Sequence, residues 1–310
     1  MTGKIMDVLG ERVLELGPKP EPGRPYHDFR LTRDADGVAW LLFDRADSSA
    51  NTLSAEVIEG LDRVLTELET NRPTGLVIRS AKTSGFIAGA DVNEFRGAAD
   101  PKQVEAAIGR AHVVIDRLEA LRIPTVAVIH GFCLGGGLEV ALACQMRIAI
   151  SDVRFGFPEV MLGLHPGLGG TARFTRLVNP MQAMTLMLTG RTIDARKAKA
   201  LGLVDAVCEE RHVRNAVKDA MSGRLKRAKK SLLVTLLNLG PARRLLANRM
   251  RSEAEKAAPH EHYPAPDALI DLWERHGGDK AAMLAAEKTS FAYLMVTPTA
   301  QNLIRVFFLR

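Results

Sequence analysis

At 310 residues the chain has room for one large domain and an appendage, and 46% hydrophobic with 25% charged residues is ordinary for a soluble globular protein. A net charge of +6 suits an anionic ligand, while three scattered cysteines with no C-x-x-C pair exclude a disulfide framework or zinc cluster and point to a reducing cytoplasm. The N-terminus carries acids and no secretory core, and the longest apolar region, Ile123 to Cys144, is broken by His130, Glu139 and glycines, so no membrane insertion is expected.

Residues 1–26 read as an appendage: a short helix over Lys4 to Leu16, then a stiff linker on Pro18, Pro20, Pro22 and Pro25. His27 to Asp44 reads as a hairpin. Phe29 and Leu31 alternate before the turn Asp34-Ala35-Asp36-Gly37, and Val38, Trp40 and Leu42 after it. After a loop from Arg45 to Leu53, Ser54 caps a helix with Val57, Leu61, Val64, Leu65 and Leu68 at helical spacing, and Gly75 to Ser80 is a strand. A loop of small residues, Phe86 to Asp91, follows. Asp100-Pro101 then opens a helix running to about Arg122, with Gln103 placed for a capping box. The β-rich run Val126, Val128, Ile129 next meets a glycine cluster, Gly131 and Gly135 to Gly137, and a helical segment from Leu138 to Met146 follows.

Beyond it come a strand, Met146 to Ser151, and a glycine-rich run, Gly163 to Gly170, that leads into a helix near Thr171. Helices at about 180–189 and 194–201 precede a short strand, Leu203 to Val207. Strands and helices keep alternating, which predicts an α/β fold wound right-handed from β-β-α units. From Arg211 to Arg251 the composition turns basic (Arg224, Lys226, Arg227, Lys229, Lys230, Arg243, Arg244), with Leu232, Leu233, Leu236 and Leu237 at helical spacing. Aromatic interleaving is absent there, so these charges read as a solvated helix face or as contacts to ligand phosphates, and no nucleic-acid partner is expected. Residues 258–267 read as a linker rich in proline and histidine, and the last forty as amphipathic helices closing on Phe307-Phe308-Leu309-Arg310.

The chemistry concentrates in three places. A strand feeding Gly135-Gly136-Gly137 at a helix start aims unpaired N–H groups and a positive dipole end at one point, where an anion belongs. Glu139 lies in that helix's first turn among Leu138, Val140, Ala141, Leu142 and Ala143, apolar all round, which predicts a buried helix. A lone carboxylate there is costly unless it is paired or works. The second place is the loop Ala88-Gly89-Ala90-Asp91, and the third is Pro158-Glu159, twenty residues beyond Glu139. No G-x-x-x-x-G-K-[ST], no dinucleotide fingerprint after a strand and no G-x-S-x-G is present. The histidines make no metal-ligand spacing; His130 and His165 read as core and loop residues.

Together, I-A-G-A-D-V-N-E-F (87–95), H-G-F-C-L-G-G-G-L-E-V-A-L-A-C (130–144) and F-G-F-P-E-V-M-L-G-L-H-P-G-L-G-G-T-A-R (155–173), with G-L-V-D from Gly202 to Asp205, closely resemble the crotonase superfamily of enoyl-CoA hydratases and isomerases. The resemblance covers about residues 27–225. It implies a spiral of β-β-α turns, an acyl-CoA thioester as ligand, and no cofactor beyond the CoA of the substrate. Motif for motif, it makes Ala90 and Gly136 the backbone donors of an oxyanion hole and puts Glu139 and Glu159 at the two carboxylate positions of hydratases. It therefore favours hydration of 2-enoyl-CoA, Glu139 taking the proton of water and Glu159 giving one to C2, with 3,2-enoyl-CoA isomerisation as the alternative. It further implies substrate contacts at Ser49, Asn51, Ala88, Gly89, Asp91, Val92, Leu134, Gly135, Pro158 and Leu162.

Residues 226–310 form a helical extension. Within it Tyr263-Pro264-Ala265, the Glu287 to Phe291 helix, Thr297-Pro298 and Phe307-Phe308 resemble the bridge to the dehydrogenase part of multifunctional fatty-acid-oxidation α-subunits. The chain stops where that part would begin, and no dehydrogenase activity is expected. Implied partners are a thiolase subunit or further copies of the chain, as in the trimers of the family.

Overall fold

β1 (Phe29–Arg33) and β2 (Val38–Phe43) pair antiparallel around the Asp-Gly turn, with Phe29 opposite Phe43. The computed structural model describes residues 13–19, 26–228, 232–257 and 261–309. Residues 13–16 are not helical, and the rest of the helix expected over 4–16 lies outside the described residues, as do Pro20, Pro22 and Pro25.

Ser54 caps α1 (Ala55–Thr70), its side chain accepting from Val57 N. Three β-β-α turns follow. The first is β3 (Gly75–Ser80), β4 (Gly85–Ile87) and α2 (Pro101–Ala120). Asp100 caps α2 through Lys102 N, where a capping box with Gln103 was expected. The second turn is β5 (Thr125–Ile129), β6 (Phe132–Leu134) and α3 (Gly136–Ala143). The third is β7 (Met146–Ile150), β8 (Arg154–Gly156) and α4 (Gly170–Leu177). In each turn the longer strand joins one sheet, ordered β1-β2-β3-β5-β7-β10, and the short strand joins a second, ordered β4-β6-β8-β9. α5 (Pro180–Thr189), β9 (Thr192–Asp194), α6 (Ala195–Leu201) and β10 (Ala206–Cys208) complete them. β10 starts three residues later than expected, because Leu203 and Val204 are fully buried in the core instead of paired in the sheet.

β2, β3, β5 and β7 are buried along their whole length, as parallel strands covered on both faces must be. Their alternation sorts the two faces. Leu41, Phe43, Leu76, Ile78, Ala127 and Ile129 enter the main core. Trp40, Val77, Val126, Val128 and Ile148 face the other way, under Val213, Val217 and Ala220 of α7 (Val213–Met221). Arg79, fully buried at the end of β3, donates to both carboxylate oxygens of Glu210 at 2.7 and 2.8 Å.

Five helices follow: α8 (Leu232–Leu237), α9 (Gly240–Ala257), α10 (Ala265–His276), α11 (Lys280–Met295) and α12 (Pro298–Phe307). The linker expected over 258–267 is shorter than its composition implied, since α10 begins at Ala265 and uses Pro266 in its first turn. The helices are not a detached arm. Ala247, Met250, Leu269, Ile270, Trp273 and Met283 belong to the same core as the sheet. α11 lies against α2 and α4, and Gln301 of α12 ties down the 92–97 segment by donating to Phe95 O (3.0 Å) and accepting from Gly97 N (2.9 Å). In the basic stretch, Arg224 pairs with Asp219, Arg227 donates to Gln145, and Arg251 pairs with Asp271 and Glu274; Lys229 and Lys230 lie outside the described residues. No helix among the described residues is long and apolar enough to cross a membrane.

Candidate active site

Two backbone amides meet at the seam of the two sheets. The strap Asn51–Leu53 runs beside Ala88–Asp91: Ala88 N donates to Asn51 O (2.8 Å), Leu53 N to Gly89 O (2.9 Å) and Asp91 N to Leu53 O (2.8 Å). That pattern passes over Ala90 N. Gly136 N belongs to the first residue of α3 and, as at any helix start, has no partner inside its helix. Among the described residues neither the Ala90 nor the Gly136 amide has an acceptor. The two stand side by side, since a Cβ on Gly136 would lie 3.8 Å from Ala90 N. Gly135 makes the turn: its φ is +49°, and its N–H donates to Gly156 O at 3.0 Å, fastening the start of α3 to β8.

Glu139, one turn into α3, is 2% exposed. Its Oε1 accepts from Leu168 N (2.7 Å) and Gly170 N (2.6 Å), at the start of α4. Burial, and then the Glu287 carboxylate nearby, push its carboxyl up to about 7 against the pull of those two amides. Glu159 lies in the single-turn helix Pro158–Leu162. Both its carboxyl oxygens are buried and have no hydrogen-bond partner among the described residues. Burial, and then the charge of Glu139, hold its carboxyl well above the ordinary range. A buried acid without a partner costs stability, and such groups concentrate where chemistry is done. The two acids therefore differ: both are desolvated, but one carboxyl is held by two amides and the other, among the described residues, by none.

Both acids and both amides line one cavity of about 910 Å3. Apolar side chains make up much of the rest, Ile58, Val104, Ile108 and Leu162, with Phe291, Met295 and Phe307 from the C-terminal helices, and Glu59, Asp62, Arg63, Glu94 and Arg110 line it as well. Ala88, Gly89, Val92, Leu134, Gly135 and Pro158 also line it. Three residues expected at the substrate do not. Asn51 is buried in the scaffold, its Oδ1 accepting from Arg45 N and its side-chain amide directed at Phe43 O, Ser80 Oγ and Phe86 O. Asp91 pairs with Arg45 (2.8 Å) and accepts from Asn93 N (3.1 Å), bracing the loop that carries Ala90. Ser49 is exposed, and its carbonyl accepts from Ser84 Oγ. Among the described residues no group of three or more His, Cys, Asp and Glu side chains is arranged to hold a metal ion.

Asn51 thus holds the strap that shapes the amide pair. Asn51→Ala removes the acceptor of Arg45 N and the side-chain donor to Phe86 O, while Phe43 O keeps Ala81 N, so it is expected to cost about 1–3 kcal/mol of stability. A lower denaturant midpoint at unchanged slope would register this; an unchanged midpoint would mean the bonds contribute nothing.

Sequence reasoning missed Glu287 and His112, which sit behind Glu139. It also missed the lining residues of α11 and α12. A signal existed: Glu287, Phe291 and Met295 are four residues apart and share one helix face.

A family model described as enoyl-CoA hydratase/isomerase matches residues 33–243. The fatty acid oxidation complex subunit alpha of Shewanella sp. (strain ANA-3) is 39% identical over 289 residues, and that of Aliivibrio fischeri 38% over 290; each alignment takes in 90% of this chain. The chain spans 40% and 42% of the length of those two proteins. Among solved structures, an enoyl-CoA hydratase of Bacillus anthracis has a TM-score of 0.58 at 27% identity, over 81% of this chain and 90% of that one. One of Geobacillus kaustophilus has 0.59 at 29%, over 82% and 89%.

Proposed function

The chain belongs to the enoyl-CoA hydratase/isomerase family, and on that premise we propose that it adds water to 2-enoyl-CoA thioesters, giving 3-hydroxyacyl-CoA. The observation that carries this reading is a pair of buried carboxyls, both pushed up but one held by two amides and the other without a donor among the described residues, beside two amides that lack acceptors there.

The thioester oxygen lies against Ala90 N and Gly136 N. The Glu139 carboxylate takes a proton from water as its oxygen bonds to C3. The C2–C3 π electrons move onto the thioester oxygen as an enolate, which the two amides meet where the charge develops. The enolate collapses and C2 takes the proton of Glu159. Glu139 ends protonated and Glu159 ionised, and a proton exchange restores both. The apolar walls take the acyl chain, and the reaction as written calls on no group beyond the CoA of the substrate. By the same reading the chain works in fatty-acid oxidation, as the names of its relatives suggest; the reading further places it in the cytoplasm, docked with a thiolase subunit or with copies of itself.

The test follows the conjugated enoyl-thioester absorbance on mixing with the protein. The pH profile adds a signature. Glu139 must be ionised, so kcat/KM rises through about pH 7; Glu159 must be protonated, so it falls again at higher pH. A profile flat from about pH 5 to 10 would count against the assignment of roles.

A second reading has one observation in its favour. Glu159, with both oxygens free of donors among the described residues, can take a proton at C2 of a 3-enoyl thioester and return it at C4. Isomerisation that survives Glu139→Gln would support it.

A further inference from the structure

Helix α11 carries one fully buried acid, Glu287, and the reaction above makes no use of it. A carboxylate removed from water must find donors. Those of Glu287 come from the same peptide segment that serves Glu139. Successive amides alternate between the two acids. Leu168 N and Gly170 N donate to Glu139 Oε1, at 2.7 and 2.6 Å. Gly169 N donates to Glu287 Oε1 at 2.5 Å, and Thr171 N to Glu287 Oε2 at 3.2 Å. The Thr171 hydroxyl also donates to Glu287 Oε2. On the other side, His112 Nε2 of α2 sits 3.4 Å from Glu287 Oε1 and 2.8 Å from Gly167 O, the residue just ahead of the segment. The segment is the head of α4, so one helix start is strung between two acids from different parts of the chain.

We infer that Glu287, together with His112, is a positioning residue for Glu139: it fixes the 168–171 segment whose amides aim the Glu139 carboxylate into the cavity. The inference rests on the reading of Glu139 as the base. It also makes the C-terminal helices part of the catalytic arrangement, since displacing α11 withdraws the group that holds two of the four amides.

The electrostatics give the test its sign. Glu287 faces His112 on α2, Glu139 on α3, Glu159 in the single-turn helix and His165 in the loop that follows. Arg173 on α4 is taken up by Leu168 O, Asp116 and Glu119. α10 and α12, which also touch α11, bury only apolar residues. The Glu287 charge pushes the Glu139 carboxyl up, and His112 pulls it down. Burial alone would lower the His112 imidazole, but the Glu287 carboxylate beside it raises it instead.

Glu287→Gln and His112→Gln are therefore expected to move the Glu139 titration in opposite directions, to lower pH in the first and to higher pH in the second. Difference infrared spectra between each background and the same background carrying Glu139→Gln isolate that carboxyl. Because misplacement of about 1 Å can cost as much as 100-fold, kcat for 2-enoyl-CoA should fall between about 10- and 100-fold in Glu287→Gln with KM little changed. Should that variant not fold, the His112 variant carries the measurement. A Glu139 midpoint that stays in place in the folded variants overturns the assignment. Midpoints that move as stated in a protein with no enoyl-CoA turnover would uphold the positioning and refute the proposed reaction.

Discussion

Glu139→Gln is expected to lower kcat for hydration by about 10²–10⁴-fold, the usual contribution of a positioned proton acceptor, with the fold intact. The substitution keeps the shape of the side chain and one carbonyl oxygen, so Leu168 N and Gly170 N retain their acceptor. Glu159→Gln should cost a similar factor, because an amide cannot deliver the proton that C2 needs. Hydration at near wild-type rate in either variant would remove the two-carboxyl reading.

Stability should move the other way. An unfolded glutamate titrates near the ordinary 4.5, whereas folded Glu139 is pushed up to about 7. Between those values the native state binds the extra proton, so the protein loses stability as pH rises through that window. The loss is complete above about pH 7 and is of order 3 kcal/mol, at about 1.4 kcal/mol per unit. Glu139→Gln removes it. The variant should therefore melt at higher temperature than wild type at pH 8, with little difference at pH 4.5. A melting difference that does not change with pH would contradict the burial argument.

Gly136→Ala is the second large effect. Gly136 does not have a left-handed backbone, and alanine favours helices, so the substitution is tolerable for the chain itself. Its methyl group, however, would stand 3.8 Å from Ala90 N, 2.9 Å from Leu53 Cδ1 and 3.5 Å from Leu168 Cδ1, beside the amide pair. Alanine keeps the 136 N–H, so the loss comes from crowding: a methyl that keeps the thioester oxygen off one donor of such a pair costs up to about 10²–10³-fold in kcat, the effect of losing that donor. The expected result is a folded protein with turnover reduced by that factor. Gly137→Ala provides the contrast: its Cβ would lie 2.4 Å from the Ile87 carbonyl oxygen, so the backbone must shift and stability should suffer first. Wild-type turnover in Gly136→Ala would show that the oxyanion does not sit there.

Much of this was legible in the chain. Alternation around an Asp-Gly turn marked the first hairpin, and long runs of buried β-formers marked the parallel strands. Glu139 stood out because every neighbour in its helix is apolar, and a local pattern can carry that kind of signal. Asn51 and Asp91, which the resemblance put at the substrate, do not line the cavity. Whether a polar side chain faces a ligand or braces its own scaffold depends on what lies opposite, and the opposite groups are Phe86 O, Ser80 and Arg45. The short strand Ala206–Cys208 was misplaced for a related reason, since Leu203 and Val204 satisfy a β pattern equally well when buried without a partner strand.

The sequence by itself determined most of the long strands and helices, the β-β-α alternation, the glycine turn and the two acids that follow it, because each depends on neighbours within a few residues; the three-residue strands of the second sheet are too short to show a pattern. Only the tertiary structure decided how those acids are set. It set one carboxyl on two amides and left the other without a donor among the described residues. It placed Ala90 N beside Gly136, and it brought Glu287 from the C-terminal helices to the segment that holds Glu139. Such contacts depend on where a chain returns in space, and their energies come from burial and hydrogen-bond pairing that no short stretch of sequence contains.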